Sequence, residues 1–289
     1  MASIGAIEAG GTKMVLALGD EAGHIVEMEE IPTTAPDACV EQMAAWFAQR
    51  TVDSLGIGAF GPTCVNPGNP RFGQILETPK TAWRHFDLRG ALIHRLGVPV
   101  GYDTDVNAAC LGEATFGAAQ GLSNVVYVTV GTGIGAGVMV EGALLHGMLH
   151  AEAGHITVPR VPGDAARSVC PYHSGCLEGL ASGPAIERRW GEKAAELAGR
   201  DEVWELESSY LALGISTYVL CYAPHRVVLG GGVMHQEQLF ALIRAKTRDL
   251  LNGYLVTPEL EDIDSYIVPR RLRGSAGDPR RLGARPPCA

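Results

Sequence analysis

Four residues near the middle of the chain form a pattern that could bind a metal ion. Cys170, His173 and Cys176 are spaced three apart, and His155 lies 15 positions before Cys170. Two thiolates and two imidazoles are a donor set typical of tetrahedral zinc. With four protein ligands no position is left for a reacting water, so the pattern predicts a structural site. The alternative is two buried apolar cysteines beside incidental histidines, but the full constellation favours a metal.

Two carboxylates flank this pattern. Glu152 lies one helical turn before His155, and Glu178 follows Cys176 by two residues. A loop folded by a metal would hold both carboxylates and an imidazole rigidly. We therefore expect Glu152, His155 and Glu178 to line one pocket.

A second group of polar residues follows a predicted strand at Val98–Tyr102. Asp103, Asp105 and Asn107 stand at its end, before a predicted helix over Ala108–Phe116. Catalytic groups of α/β folds lie at the carboxyl ends of strands. One aspartate could simply cap the helix, but two acids and an amide exceed what capping needs.

Two glycine turns are each placed between apolar runs that predict strands. Gly10-Gly11-Thr12-Lys13 separates Ser3–Glu8 from Met14–Leu18, and Gly131-Thr132-Gly133, extended to Gly137, follows Asn124–Val130. Such hairpins let phosphate approach the backbone amides, although each could be an ordinary turn. The repetition predicts two related subdomains. A dinucleotide-binding loop is disfavoured, because a strand and not a helix follows the glycines.

A third glycine cluster, Gly230–Gly232, separates the predicted strand Arg226–Leu229 from a helix over Gln236–Leu251. Its position at a helix N-terminus would suit the base or ribose of a nucleotide. The alternative is a tight strand–helix turn.

Composition limits the class of protein. A chain of 289 residues allows two domains, and 46% hydrophobic residues with 37 glycines fit a compact α/β enzyme. A net charge of −9 argues against nucleic-acid binding. Seven cysteines without regular spacing fit a reducing compartment. No apolar run suits a signal peptide or a membrane span, so the expected location is the cytoplasm and no membrane partner is expected.

Together these motifs resemble the ROK sugar kinases, closest to their bacterial fructokinase branch. The resemblance runs from about residue 3 to 269, and the cysteine/histidine loop is similar to the zinc signature of the family. His173 stands where many members carry cysteine, and Glu8 replaces the usual aspartate, as in the fructokinase branch. The segments that carry the resemblance are Glu8–Lys13, Gly61-Pro62 with Asn66-Pro67, Thr78–Lys80 with Trp83 and Phe86-Asp87, Asp103–Asn107, Gly131–Gly135, Glu152–His155 and Cys170–Pro184.

The resemblance implies a two-domain α/β fold of the actin-like ATPase (ribonuclease H-like) class, with a cleft between the domains and a zinc-binding loop. The expected domains are 1–115, and 116–269 with the zinc loop. The implied reaction is ATP-dependent phosphorylation of a hexose, foremost D-fructose to D-fructose 6-phosphate. The implied cofactors are Mg²⁺ with ATP and a structural Zn²⁺, and we expect a homodimer.

The resemblance also assigns residues to roles. Asp105 aligns with the catalytic base, and Asn107, Glu152, His155 and Glu178 would hold sugar hydroxyls. His155 would use its second ring nitrogen for zinc, beside Cys170, His173 and Cys176. Glu8 would hold Mg²⁺ through water. The residues expected to bind ATP are Gly10, Gly11, Thr12, Lys13, Thr132, Gly133, Gly231 and Gly232.

Three alternatives stay open at this point. The sugar could be mannose or glucose, or specificity could be broad. A sugar-sensing ROK repressor is disfavoured, because the chain is acidic and shows no helix-turn-helix ahead of the first strand. A zinc-dependent dehydrogenase would need an open metal position and a strand–helix glycine loop.

The segment 270–289 departs from the family. It contains six arginines and no helical apolar period. Family members instead end in a glycine turn and an apolar helix. Because a reading frame shifted by one base can yield such a helix, we hypothesise a frameshift, the alternative being a divergent basic tail. A missing helix would cost several kcal/mol of burial.

Overall fold

A computed structural model describes residues 2–78 and 80–272 of the chain. It has two compact units, residues 2–105 and Val106–Leu272. The division falls at the start of a helix, whereas the sequence placed a domain boundary ten residues later, after residue 115.

The elements follow the expected order of strands and helices. The strands are β1 Ser3–Ala9, β2 Lys13–Asp20, β3 Ile25–Pro32, β4 Ser54–Ala59, β5 Val100–Thr104, β6 Val125–Val130, β7 Ile134–Val140, β8 Ala143–Leu144, β9 Arg226–Gly230 and β10 Ile267–Pro269. The helices are α1 Pro36–Ala48, α2 Leu88–Leu96, α3 Asp105–Phe116, α4 Leu177–Ala181, α5 Gly183–Trp190, α6 Asp201–Tyr222, α7 Gln238–Leu251, α8 Pro258–Glu261 and α9 Ile263–Tyr266.

Each unit is built on a five-stranded sheet. The first sheet has the order β3-β2-β1-β4-β5, and the second has the order β10-β9-β6-β7-β8. In both, a meander of three antiparallel strands precedes two strands that extend the sheet in parallel. The predicted α/β class is therefore confirmed, and the repeated glycine hairpins lie at equivalent places, β1–β2 and β6–β7.

The first unit buries its core between the sheet and two helices. In α1 the buried residues Val40, Met43 and Phe47 recur at helical spacing and face the strands. Helix α2 is capped by Asp87, whose carboxylate accepts the Gly90 N–H at 2.8 Å.

The second unit has the larger core. Strand β6 is buried along nearly its whole length, as expected of a central strand covered on both faces. Strand β7 begins at Ile134, so the predicted turn over Gly131–Gly137 is too long. A Cβ on Gly137 would lie 2.2 Å from the Val106 carbonyl oxygen. Glycine is needed here because helix α3 packs directly on the strand, not because the chain turns.

Helix α3 begins at Asp105, three residues before the predicted start. Its buried Glu113 accepts hydrogen bonds from the backbone N–H groups of Arg271 and Leu272, at 3.1 and 2.8 Å. This carboxylate fixes the chain where it leaves β10. The rest of the unusual C-terminal segment, residues 273–289, lies outside the described residues. The frameshift hypothesis concerns this segment and therefore stays a hypothesis.

No helix within residues 2–78 and 80–272 is both long enough and apolar enough to cross a bilayer.

Candidate functional site

The predicted catalytic aspartate lies at the edge of the first sheet where the parallel strands end. Ala9, Ala59 and Thr104 are in register on β1, β4 and β5. Gly10 follows the first of these strands and Asp105 the last, so they occupy one edge about 10 Å apart at two strand spacings. Asp105 is also the first residue of α3, where the helix dipole favours a negative charge.

The glycine turn of the first unit has the tight geometry expected of a hairpin. The Gly10 N–H donates to the Lys13 carbonyl at 3.0 Å, and a Cβ on Gly10 would lie 2.6 Å from that oxygen. The Lys13 ammonium is 2.6 Å from a carboxylate oxygen of Glu30 on β3. Lys13 is therefore held by an ion pair, which the sequence did not predict.

Other predicted residues of this unit are open to ligands. Glu8 and Thr12 are exposed, on β1 and in the turn that follows it. The Lys80 side chain approaches Gly11 so closely that a Cβ there would be 3.2 Å from its Cε. Lys80 is a second cation beside the turn, and sequence reasoning gave it no role.

The glycine clusters of the second unit meet at its own strand edge. Thr129 and Gly230 are in register on β6 and β9, so the turn after each strand begins side by side. Gly231 has φ of +93°, and a Cβ there would be 2.3 Å from the Val130 carbonyl oxygen. The structure thus brings together Gly131, Thr132, Gly133, Gly231 and Gly232, the predicted nucleotide-binding residues of this unit.

Glu178 lies directly on this glycine turn. It is the second residue of α4, and one carboxylate oxygen accepts the Ile134 N–H at 3.0 Å. A Cβ on Gly133 would be 2.6 Å from the same oxygen, so any larger residue there would displace the Glu178 carboxylate. A residue predicted to bind sugar therefore contacts the turn predicted to bind phosphate.

The four predicted metal ligands form one cluster. Ligand atoms of His155, Cys170, His173 and Cys176 all lie within 4.8 Å of one another. The Cys170 Sγ atom is 3.8 Å from His155 Nδ1 and 3.5 Å from His173 Nδ1. Metal–ligand bonds of about 2.0–2.3 Å give tetrahedral edges of about 3.3–3.8 Å. The donor atoms and their spacing fit zinc.

Backbone pairing folds the loop that carries this cluster. Val158 N–H donates to Gly175 at 3.0 Å and Leu177 N–H to Ile156 at 2.9 Å, which brings the two ends of the loop together. Val169 N–H donates to the Gly179 carbonyl at 2.9 Å. A Cβ on Gly179 would be 2.9 Å from Cys170 Cβ. Glycine at this position of α4 therefore lets the chain at Cys170 pack closely against the helix.

The Cys176 thiol needs a nearby cation in order to ionise, because its buried surroundings disfavour a lone negative charge. Burial raises the pKa of the Cys176 thiol to about 11, although the Gly179 N–H donates to its sulfur. A buried thiolate needs a positive partner, and a metal ion supplies one. Desolvation also raises the pKa of Glu152, with Glu178 acting in the same direction and His155 against it.

The turn with Glu152 and His155 is fixed by two contacts. A Cβ on Gly154 would lie 1.7 Å from the Ile134 carbonyl oxygen, so the turn packs directly on β7. The buried Tyr218 hydroxyl donates to the Ala153 carbonyl at 2.8 Å. His155 Nε2 is then 3.8 Å from a Glu178 carboxylate oxygen, while Nδ1 faces the Cys170 sulfur. Nδ1 of His155 therefore faces the other predicted metal ligands, and Nε2 faces the Glu178 carboxylate.

Asn107 has a neighbour that sequence reasoning missed. Its side chain is buried on α3, and Nδ2 is 3.4 Å from His146 Nε2. An amide nitrogen only donates, so this His146 nitrogen accepts the bond. No motif around His146 in the sequence indicated that its side chain would lie beside Asn107.

A buried ion pair, which sequence reasoning also missed, anchors the segment between His155 and Cys176, which we call the metal loop because it carries the four predicted metal ligands. Asp164 accepts from Arg189 Nε and Nη2, both at 3.1 Å, and from the Tyr210 hydroxyl at 2.6 Å. Arg189 Nη2 also donates to the Leu180 carbonyl of α4 at 2.8 Å. These hydrogen bonds lower the pKa of Asp164 against the opposing effect of its burial. The anchor ties the loop to α4, α5 and α6.

Comparison with known proteins shows where the chain belongs. A fructokinase candidate of Bacillus subtilis (strain 168) is 49% identical over 275 residues, covering 95% of this chain and 92% of that protein. The fructokinase of Pediococcus pentosaceus is 43% identical, with 95% and 94% covered. A Streptomyces griseus ROK glucokinase, solved with glucose and AMPPNP, is 26% identical over 93% of this chain and 95% of that chain, at a TM-score of 0.73.

The family model of the ROK family matches residues 4–277. The resemblance drawn from the sequence is therefore confirmed: the chain belongs to the ROK family.

Proposed function

We propose that the protein is a fructokinase, which transfers the γ-phosphoryl group of ATP to D-fructose and releases fructose 6-phosphate and ADP. The observation that carries the proposal is the hydrogen bond from the Ile134 N–H to Glu178, at 3.0 Å. This bond supports the proposal because it puts a carboxylate that we assign to a sugar hydroxyl on the glycine turn that we assign to phosphate. The identity to the Pediococcus pentosaceus fructokinase supports fructose as the substrate.

Asp105 is proposed as the general base. A sugar hydroxyl is a weak nucleophile, and a carboxylate that accepts its proton during bond formation assists in-line phosphoryl transfer. Asp105 suits this role because it stands at a strand end, beside the edge occupied by Gly10.

The sugar hydroxyls are assigned to Asn107, Glu152, His155 and Glu178. Carboxylates and amides pair with hydroxyl groups, and a site built for such pairing rejects molecules that leave its polar atoms unpaired. His155 suits both metal and sugar, because its two ring nitrogens face different partners.

The phosphates are assigned to the glycine turns. Their backbone N–H groups can donate to anionic oxygens, with Thr12 and Thr132 as hydroxyl donors. Mg²⁺ bound with ATP would neutralise charge on the transferred group, and Glu8 would hold it through water. The residues proposed to bind ATP are Gly10, Gly11, Thr12, Lys13, Thr132, Gly133, Gly231 and Gly232.

The cluster of His155, Cys170, His173 and Cys176 is proposed to bind one structural Zn²⁺. When bound, zinc would hold the loop together; positioning the sugar falls to Glu152, His155 and Glu178. All six cysteines within the described residues are free, which supports a reducing cytoplasm. A homodimer is proposed as well, and light scattering would measure it.

Asp105→Asn tests the assignment. We expect kcat to fall by about 10²–10⁴-fold, while binding of AMPPNP is nearly unchanged, because the amide cannot accept the proton. ADP production would be followed with fructose, mannose and glucose in parallel. Undiminished turnover in the variant would remove Asp105 from its role, and a preference for another hexose would replace fructose.

A further inference from the structure

The second unit contains a cavity away from every residue assigned above. It has a volume of about 650 Å³ and lies between the 162–167 segment of the metal loop, the end of α5 and Leu206 of α6. This volume falls within the range of small-molecule sites.

Three arginines and a single carboxylate give the cavity an excess of positive charge. Arg167, Arg188 and Arg189 line it, with Asp164. Asp164 neutralises one of them through its two hydrogen bonds to Arg189. Arg167 and Arg188 are exposed, and neither side chain forms a hydrogen bond or ion pair within the described part of the chain. Two uncompensated cations in a chain of net charge −9 form a local anion-binding surface.

Arg189 is already oriented for a ligand. Its side chain is 8% exposed, and Asp164 holds Nε and Nη2 in a fixed geometry. Arg189 lines the cavity, and its Nη1 atom takes no part in the hydrogen bonds to Asp164 and Leu180. A guanidinium held in place loses little entropy when it donates to phosphate.

The remaining wall is partly apolar. Trp190 and Leu206 contribute it, and the Trp190 ring is covered by the Arg200 guanidinium at 5.0 Å. Such a wall accommodates a small carbon skeleton attached to an anion.

We propose that this cavity binds a phosphate dianion, either inorganic phosphate or the phosphate group of a small sugar ester, through Arg167, Arg188 and Nη1 of Arg189. The site is separate from the proposed active site, since none of the residues assigned to sugar, nucleotide or metal lines it. Its occupant would rest on the segment that Asp164 anchors, between His155 and Cys170, and so would stabilise the metal loop.

The test is calorimetric titration of the full chain with the active site filled by fructose and AMPPNP. Inorganic phosphate and fructose 6-phosphate are the two probes. We expect at least one of them to bind, and its affinity to fall at least tenfold in the Arg167→Ala/Arg188→Ala double variant. Arg71→Ala/Arg248→Ala is the matched control, because it removes two exposed arginines elsewhere and should bind like the wild type.

The pattern of binding distinguishes the two sources. Binding of both probes with similar affinity identifies inorganic phosphate as sufficient, whereas tighter binding of fructose 6-phosphate identifies a sugar ester. Arg188→Glu should abolish binding while the melting temperature without ligand stays near that of the wild type. Failure of both probes to bind, or equal affinity in the double variant and its control, would overturn the proposal. Turnover is not measured, so failure of both probes to bind would leave the proposed kinase activity standing.

Discussion

The two units share one strand plan but hold their loops differently. In the first, the ion pairs lie at the surface: Lys13 and Glu30 are 46% and 35% exposed, and Arg50 with Glu27 is also partly open to solvent. In the second, Arg189 and Asp164 are 8% and 3% exposed, and the side chains of His155, Cys170, His173 and Cys176 come together in the same loop. The scaffold is repeated, but rigid anchoring is concentrated where the residues that we assign to the sugar lie.

Removing a metal ligand should have the largest effect, and only in the second unit. Cys176→Ser should lose the metal and weaken fructose binding at least tenfold, because free energy of metal binding folds the loop that presents Glu152 and Glu178. Metal analysis with fructose and AMPPNP titrations measures this, and AMPPNP affinity should change little. The control is Cys64→Ser, which removes a buried thiol of the first unit and should leave the metal content of the protein unchanged. Full fructose affinity in a metal-free variant would refute a role for the metal.

Breaking the buried anchor should come next. Asp164→Ala leaves the Arg189 cation buried without its partner, which typically costs about 3–5 kcal/mol. Urea denaturation measures the free energy of unfolding. Glu27→Ala removes the surface partner of Arg50 in the first unit and should cost far less. Equal losses in the two variants would contradict the contrast between the units.

Adding a single methyl group to a glycine should test the same contrast between the two units. Gly154→Ala places Cβ 1.7 Å from the Ile134 carbonyl oxygen, so the turn must move. We expect a loss of about 3 kcal/mol and a raised KM for fructose. Gly56→Ala on β4 of the first unit meets no atom within 4 Å and should change stability by less than about 1 kcal/mol. A wild-type KM in Gly154→Ala would show that the turn does not position the sugar groups.

The smallest expected effect is a pH dependence of stability. Glu207 on α6 is fully buried, and neither of its carboxylate oxygens has a hydrogen-bond partner within the described residues. Burial raises its pKa well above 4.5, only partly opposed by Arg189. The folded state therefore holds the proton more tightly, and stability falls as pH rises above the pKa of the unfolded chain, by at most about 1.4 kcal/mol per pH unit.

Glu207→Gln should remove this dependence, so its advantage over the wild type in urea titrations should grow as pH rises above the pKa of the unfolded chain. Glu27 in the first unit has the opposite sign, because hydrogen bonding to Arg50 lowers its pKa. Its contribution is present above the unfolded pKa and is lost as pH falls, so Glu27→Gln should show no growing advantage. Parallel pH profiles of Glu207→Gln and the wild type would disprove a titrating Glu207.

The sequence predicted what depends on local spacing. The strands around both glycine hairpins alternate or run apolar, and the metal ligands fall within one loop, so pattern alone located them. It failed where distant residues meet. Asp164 and Tyr210 are 46 positions apart, and Glu113 and Leu272 are 159 apart. No periodicity encodes such pairs.

Glycine was the other source of error. Gly10 and Gly133 were assigned to turns correctly, but Gly137 was assigned to a turn although it lies within β7. The sequence cannot distinguish a glycine that bends the chain from one that admits a neighbouring helix. Only the contact with Val106 on α3 makes that distinction.

The peptide groups of Ile134 offer a route to altered sugar preference that leaves every side chain assigned to the sugar in place. Its N–H holds Glu178 and its carbonyl oxygen abuts Gly154, while its own side chain is 4% exposed in the core. Small apolar substitutions in the core around Ile134 would shift both groups together. An engineer could therefore tune selectivity from inside the protein, by repacking, without redesigning the binding surface.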